Sequence, residues 1–183
     1  MLGLATPICG AVPPTATPSP LPRPSARLAA MSVSLPKRSF LALAAIGWAD
    51  GSLQRKEAAG LVRAATEAGI AGADLEEIDR ATKQHTPLET LDVAGLSQWE
   101  QVLTYALAAW LAALDGITST DEHQALAKLG DALGLDKALR SRASVVAFDI
   151  ACLPEGGRPD RYDFVKLVAR LQDRLPQVAR PKS

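Results

Sequence analysis

Residues 97–135, SQWEQVLTYALAAWLAALDGITSTDEHQALAKLGDALGL, decide how this chain folds. From Val102 to Leu114 the segment is apolar around its whole circumference apart from Thr104 and Tyr105, which marks a core helix rather than a surface one. It falls short of the ~20 apolar residues a bilayer crossing requires. Asp115-Gly116 closes it, and Ser119-Thr120-Asp121-Glu122 opens the next helix with an S-x-x-E capping box. That helix carries Leu126, Leu129 and Leu133 along one face and stops at Gly134.

Working outward, the same arrangement occurs earlier. Phe40 to Ala49 runs apolar until Asp50-Gly51, and a second helix follows with Glu57 in its first turn, Leu61, Val62 and Ala65 on its apolar face, and Gly69 at its end. A shift of 65 residues places Asp50 on Asp115, Gly51 on Gly116, Glu57 on Glu122, Leu61 on Leu126 and Gly69 on Gly134. Two helix, Asp-Gly turn, helix units are therefore expected to stack about a pseudo-two-fold axis, each burying the apolar helix of the other.

The remaining segments also read as helices. Asp74-Leu75-Glu76-Glu77 offers a capping box for a short helix through about Lys83, and Thr86-Pro87-Leu88-Glu89 carries the signals of another helix start. Asp136 is placed to cap a helix running to about Cys152. Pro154-Glu155-Gly156-Gly157 breaks the chain, and Asp160 is placed to cap a last helix bearing Phe164, Leu167, Val168, Leu171 and Leu175 at helical spacing, ended by Pro176. No strand pattern emerges, so the fold class is all-α, a compact domain of seven or eight helices over 34–176. The last helix, 161–175, is a candidate appendage to it, and residues 177–183 are expected to fray.

The N-terminal segment is different in kind. Residues 1–33 are rich in Pro, Ala, Ser and Thr, with seven prolines before Met31, and such a composition is expected to be disordered because it cannot bury enough surface to offset its ordering entropy. It lacks the early positive charge of a secretory signal, and Pro7 interrupts its short apolar run. Across the whole chain, Lys plus Arg and Asp plus Glu balance at 20 each, so net charge implies no polyelectrolyte partner. The acids nevertheless concentrate between Asp74 and Asp136, which suits cations or basic partners as well as ordinary solvation. Cys9 and Cys152 are the only cysteines, too few for a zinc site or disulfide framework, and this points to a reducing cytoplasm.

In both repeat units a Glu follows the Asp by seven positions, the separation found at the end of an EF-hand loop. The comparison fails at the first ligands, because Ile46 and Trp48 in one copy and Leu111 and Ala113 in the other stand where acidic side chains are needed. Glu57 and Glu122 are each accounted for by a helix cap, worth ~1 kcal/mol. Asp50 and Asp115 are not, since a carboxylate at a helix C-terminus faces the negative end of the dipole at a cost of ~0.3–1 kcal/mol. Loop N–H groups, a base in the other copy or a divalent ion are the available partners. Asp50 and Asp115 are therefore candidate metal-binding residues beside structural pairing, and Glu57 and Glu122, caps on this reading, join them only through the resemblance that follows.

A helix ending in Ala-Asp-Gly, followed by a loop and a capping S-x-x-E, resembles the TerB-like tellurite-resistance family. Ala49-Asp50-Gly51 and Ser119-Thr120-Asp121-Glu122 carry the resemblance, which spans roughly 35–153. It implies a helical domain with two related halves, an acidic surface for divalent cations, no catalysis, and a bacterial stress-response setting beside membrane-associated protein partners. Two positions depart from the pattern: Gln54 stands where Ser is expected to cap the helix of Glu57, and Leu114 replaces Ala before Asp115. No His-Pro-Asp occurs, so the J-domain activity joined to some relatives is not supported.

Other chemistry finds little purchase. There is no G-x-S-x-G, no phosphate-binding G-x-x-x-x-G-K and no H-E-x-x-H, so an enzyme is not expected. His85 and His123 read as surface histidines, with His123 able to join a metal site at Glu122. Lys166, Arg170 and Arg174 recur every four residues, but Asp163 and Asp173 dilute them and aromatics for base stacking are missing, so no nucleic acid is expected. Nothing reads as a transmembrane segment, and a homo-oligomer is compatible with the pattern. The functional expectation is a cytoplasmic cation- or protein-binding module, with a purely structural helical adaptor as the alternative.

Overall fold

The helix α4 (Gln98–Leu111) is buried along nearly its whole length, from Val102 to Leu111 with only Ala109 partly open. Its start is fixed locally: Ser97 Oγ accepts from the Glu100 amide at 3.3 Å, and Glu100 returns by accepting from the Ser97 amide at 2.7 Å. The structure, a computed structural model, describes residues 35–113, 120–154, 158 and 164–179. Every regular element among them is helical, with no strand. Against α4 pack α1 (Lys37–Gly47), α5 (Thr120–Ala132), α6 (Lys137–Ala151) and the single turn α8 (Pro176–Ala179), while α2 (Arg55–Glu67) and α3 (Ala73–Ala81) pack on α1, and α7 (Phe164–Arg174) packs on α6. None is long and apolar enough to cross a membrane.

The repeat in the sequence is a repeat in space. Shifted by 65 residues, α2 superposes its boundaries on those of α5, and both end the same way. Gly69 (φ 87°) and Gly134 (φ 65°) take the left-handed conformation. Beyond them the amides of Ile70 and Leu135 reach back to the carbonyls of Ala65 and Gly130, each at 3.0 Å. The correspondence extends one helix further than the hairpin: in α3 and α6, Ile78 matches Ala143 and Ala81 matches Val146, all buried, while Arg80 and Val145 both face out. Each unit is thus three helices, α1–α3 and α4–α6.

Where the units meet, equivalent residues touch each other. Thr104 Oγ1 on α4 donates to Ser39 Oγ on α1 at 2.8 Å, both side chains fully buried, and the two positions are 65 residues apart. A contact between a residue and its own repeat mate is what an axis of two-fold symmetry produces, as at an isologous dimer interface. The α1–α4 pair therefore lies on the pseudo-two-fold axis. On the far side of α6, Leu167, Leu171 and Leu175 complete the core with no exposed surface.

Three local expectations are corrected. Asp74 does not cap α3, since Gly72 (φ 61°) stands at the N-cap. Asp74 and Glu77 instead take both bonds from Lys37 Nζ, at 2.8 and 2.9 Å, tying α3 to the start of α1. Thr86-Pro87-Leu88-Glu89 starts no helix, only a 3-10 turn at Leu88–Thr90. Glu89, which would have completed the cap, is drawn to Lys128 on α5 at 2.8 Å. At the C-terminus, α7 stops at Arg174 just before Pro176, as expected, but the chain does not fray at once beyond it: Pro176 opens α8, and Val178 is buried. Ser119, Asp160 and Cys9 lie outside the described residues, as do Asp115 and the N-terminal segment 1–34.

Candidate functional site

The first Asp-Gly turn follows directly from the way α1 ends. Ala49 N bonds to the Ile46 carbonyl at 2.9 Å and Gly51 N to that of Trp48 at 2.9 Å, so the helix tightens for a turn before breaking. Gly51 (φ 93°) then reverses the chain in a conformation that an L side chain would strain. Asp50 Oδ1 accepts from the Ser52 amide at 2.9 Å, closing an Asx turn. One of the candidate partners for this carboxylate, a loop amide, is thereby identified. Two residues on, Gln54 stands at the N-cap of α2 and its backbone amide donates to Glu57 Oε2 at 3.0 Å, so Glu57 supplies its half of a capping box where Gln replaces the expected Ser.

These residues line a cleft of about 20 Å³, together with residues from the second unit. Ile46, Gly47, Asp50 and Glu57 come from one side, and Leu111, Ala112 and Glu122 from the other. Three pairs in this set are repeat mates: Ile46 with Leu111, Gly47 with Ala112, and Glu57 with Glu122. The cleft therefore lies across the same pseudo-two-fold axis as the Ser39–Thr104 contact, at the end of the α1–α4 pair. Its volume suits a single water-sized or ion-sized guest, for which about 10–15 Å³ is the minimum.

The electrostatics are simple to state. α1 and α4 present their C-terminal ends at the cleft, while α2 and α5 present their N-terminal turns, so the helix dipoles offset in pairs. Three carboxylates, Asp50, Glu57 and Glu122, line this one small volume. Of the four candidate metal residues these three are brought together, and Asp115 lies outside the described residues. Among the described residues no three His, Cys, Asp or Glu side chains converge tightly enough to chelate an ion by themselves. Two of the carboxylates each accept a backbone bond, Asp50 from Ser52 and Glu57 from Gln54.

Sequence reasoning missed two features. His85, edge-on to the Trp48 ring at 6.4 Å and 77°, forms with Glu89 and Lys128 the rim of a larger opening on the other face of Ile46. On α6, Val145 and Phe148 are exposed, at 53% and 63%. Their repeat mates are Arg80 and Lys83, so the 65-residue shift carried the signal that α6 is unusual. No family model matches the chain, and no curated protein or solved structure matches it either.

Proposed function

We propose that this protein is a TerB-like, non-enzymatic stress-response module of the bacterial cytoplasm that binds one divalent cation in the axial cleft. Asp50, Glu57 and Glu122, with Asp115 from the second Asp-Gly turn, are its donors. The observation that supports this reading is the ion-sized cleft on the pseudo-symmetry axis with three of the four acidic positions on its wall. Carboxylate oxygens in a site of this kind suit calcium, magnesium or manganese better than softer ions. A bound ion would neutralise the cleft and fix the relative position of the two units, which is how such a module would signal its state to a membrane-associated protein partner.

The test is a titration with calcium, magnesium, manganese and zinc while following Trp fluorescence and thermal unfolding, since Trp48 stands in the chain between Gly47 and Asp50, which line the cleft. At a hundredfold excess over Kd, binding to the native state adds about 2.7 kcal/mol. For a domain of this size that raises Tm by about 5–10 °C. The double substitution Asp50→Asn with Asp115→Asn removes the shift if the reading is right, and an unchanged shift overturns it. The second reading, a helical adaptor without a ligand, is favoured by the backbone bonds that Asp50 and Glu57 make. It requires that no metal move Tm at all, while Asp50→Asn and Glu57→Gln lower it in metal-free buffer.

A further inference from the structure

The two-fold repeat supplies its own control for the space between the units. Exchange of the units carries α1 to α4 and α5 to α2, so the groove between α1 and α5 corresponds to that between α4 and α2. The second groove is filled. Trp110, 4% exposed, lines a residual cavity of only about 10 Å³ there together with Gly60, Leu61 and Ala64 of α2. The first groove holds about 300 Å³ of open volume, at the lower end of the ~300–1,000 Å³ range of small-molecule sites.

One position accounts for much of the difference. The repeat mate of Trp110 is Ala45, which lines the open groove, just as Ala125 lines it where Gly60 lines the filled one. An indole in one half is thus matched by a methyl group in the other. The floor beside Ala45 is formed by Ile46, Ala49 and Ala125, all apolar. The outer wall exists because α3 stops at Ala81, where its mate α6 continues to Ala151. The chain leaving α3 carries His85 and Glu89 to the rim, and the Trp48 indole N–H holds that wall by donating to the Ala81 carbonyl at 3.1 Å. Glu89 and Lys128, one on each wall, close on each other at 2.8 Å and tie the rim together.

We propose that the α1–α5 groove is a binding site for a small free molecule with one indole-sized aromatic ring system, seated where Trp110 sits in the other half. The apolar floor takes the ring, and His85, Asp121, Gln124 and Lys128 at the rim offer polar contacts to a substituent. The Lys128–Glu89 tie across the walls favours a compact ligand over a peptide strand laid along the groove.

The probe is indole itself, added to the full-length protein and followed by methyl NMR. Indole is expected to shift the methyl signals of Ala45, Ala49, Ala125 and Ile46 in a saturable way and to leave the α2–α4 groove unmoved. Ala45→Trp, which installs the residue found at the mate position, should weaken indole binding by about tenfold or more, corresponding to ~1.4 kcal/mol, and should raise the unfolding midpoint by filling the space. Ala125→Leu fills the groove from the opposite wall and should weaken binding in the same direction, so the site stays testable if the Trp variant folds poorly. A capped Ala-Trp-Ala peptide separates the two sources of an indole, and it should bind no better than indole. No saturable shift with indole, shifts confined to another surface, or full affinity in a correctly folded Ala45→Trp variant would each overturn the site. Tighter binding of the peptide would overturn the assignment to a free small molecule.

Discussion

Ser39 and Thr104 illustrate how a pair of ordinary residues becomes specific through position. Both hydroxyls are fully buried, and each is the other's partner across the axis. Ser39→Ala is expected to destabilise the domain by about 1–3 kcal/mol, because it leaves the Thr104 hydroxyl buried without this bond. Adding Thr104→Val should cost less than the sum of the single changes. Urea unfolding of the four members of that cycle measures the coupling, and strict additivity would mean that the bond contributes nothing. Glu89 offers a second residue-scale test. Its bond to Lys128 holds the carboxyl below the ordinary value of 4.5, with its own backbone bond adding to the effect. A depressed carboxyl favours the closed rim at neutral pH and loses that contribution as pH falls through its folded-state value. Carbon-detected NMR titration should therefore find Glu89 low in the native protein and moved back up in Lys128→Met.

At the scale of elements, the distinction of α6 is that it is apolar on opposite faces. Ala143, Val146, Ala147 and Ile150 bury one face, whereas Val145 and Phe148 project from the other. At the matching positions Arg80 is exposed on α3 and Lys83 is exposed in the turn just beyond it, the ordinary choice for solvated positions. Replacing Val145 and Phe148 by Arg and Lys should accordingly leave the unfolding free energy within about 0.5 kcal/mol per site. Static light scattering of the same variant should show less self-association at high concentration, since an exposed apolar pair is removed. A large loss of stability would mean that these side chains have a packing role in the native state.

For the whole molecule, the consequence of doubling a three-helix unit is that the repeat need not be kept equal. The axis brings repeat mates together at its centre, which gives one cleft shared by both units and lined by Glu57 and Glu122. Away from the axis, each groove occurs twice, and one copy can be filled while the other opens. Trp110 and Ala45 show that divergence. The cation titration and the indole titration concern separate surfaces that share only Ile46, so the outcome of one does not decide the other.

The helices were legible in the sequence wherever a local signal fixed them. Ser97 with Glu100 and Asp136 with the Leu139 amide cap where their spacing predicts, and Gly69 and Gly134 end helices because only a left-handed residue allows the closing bonds. The repeat was legible for the same reason, since its marks are turn and cap residues. Local signals failed where a distant charge competed for the capping group: Lys37 took Asp74, and Lys128 took Glu89. The candidate acidic positions could be named along the chain, but the meeting of Asp50, Glu57 and Glu122 in one cleft required the rotation of one unit onto the other. So did the contact of Ser39 with Thr104 and the unequal grooves at Ala45 and Trp110. Capping and turn chemistry act over a few residues and are written along the chain, whereas packing acts between residues 65 apart and is decided only when the two units close on each other.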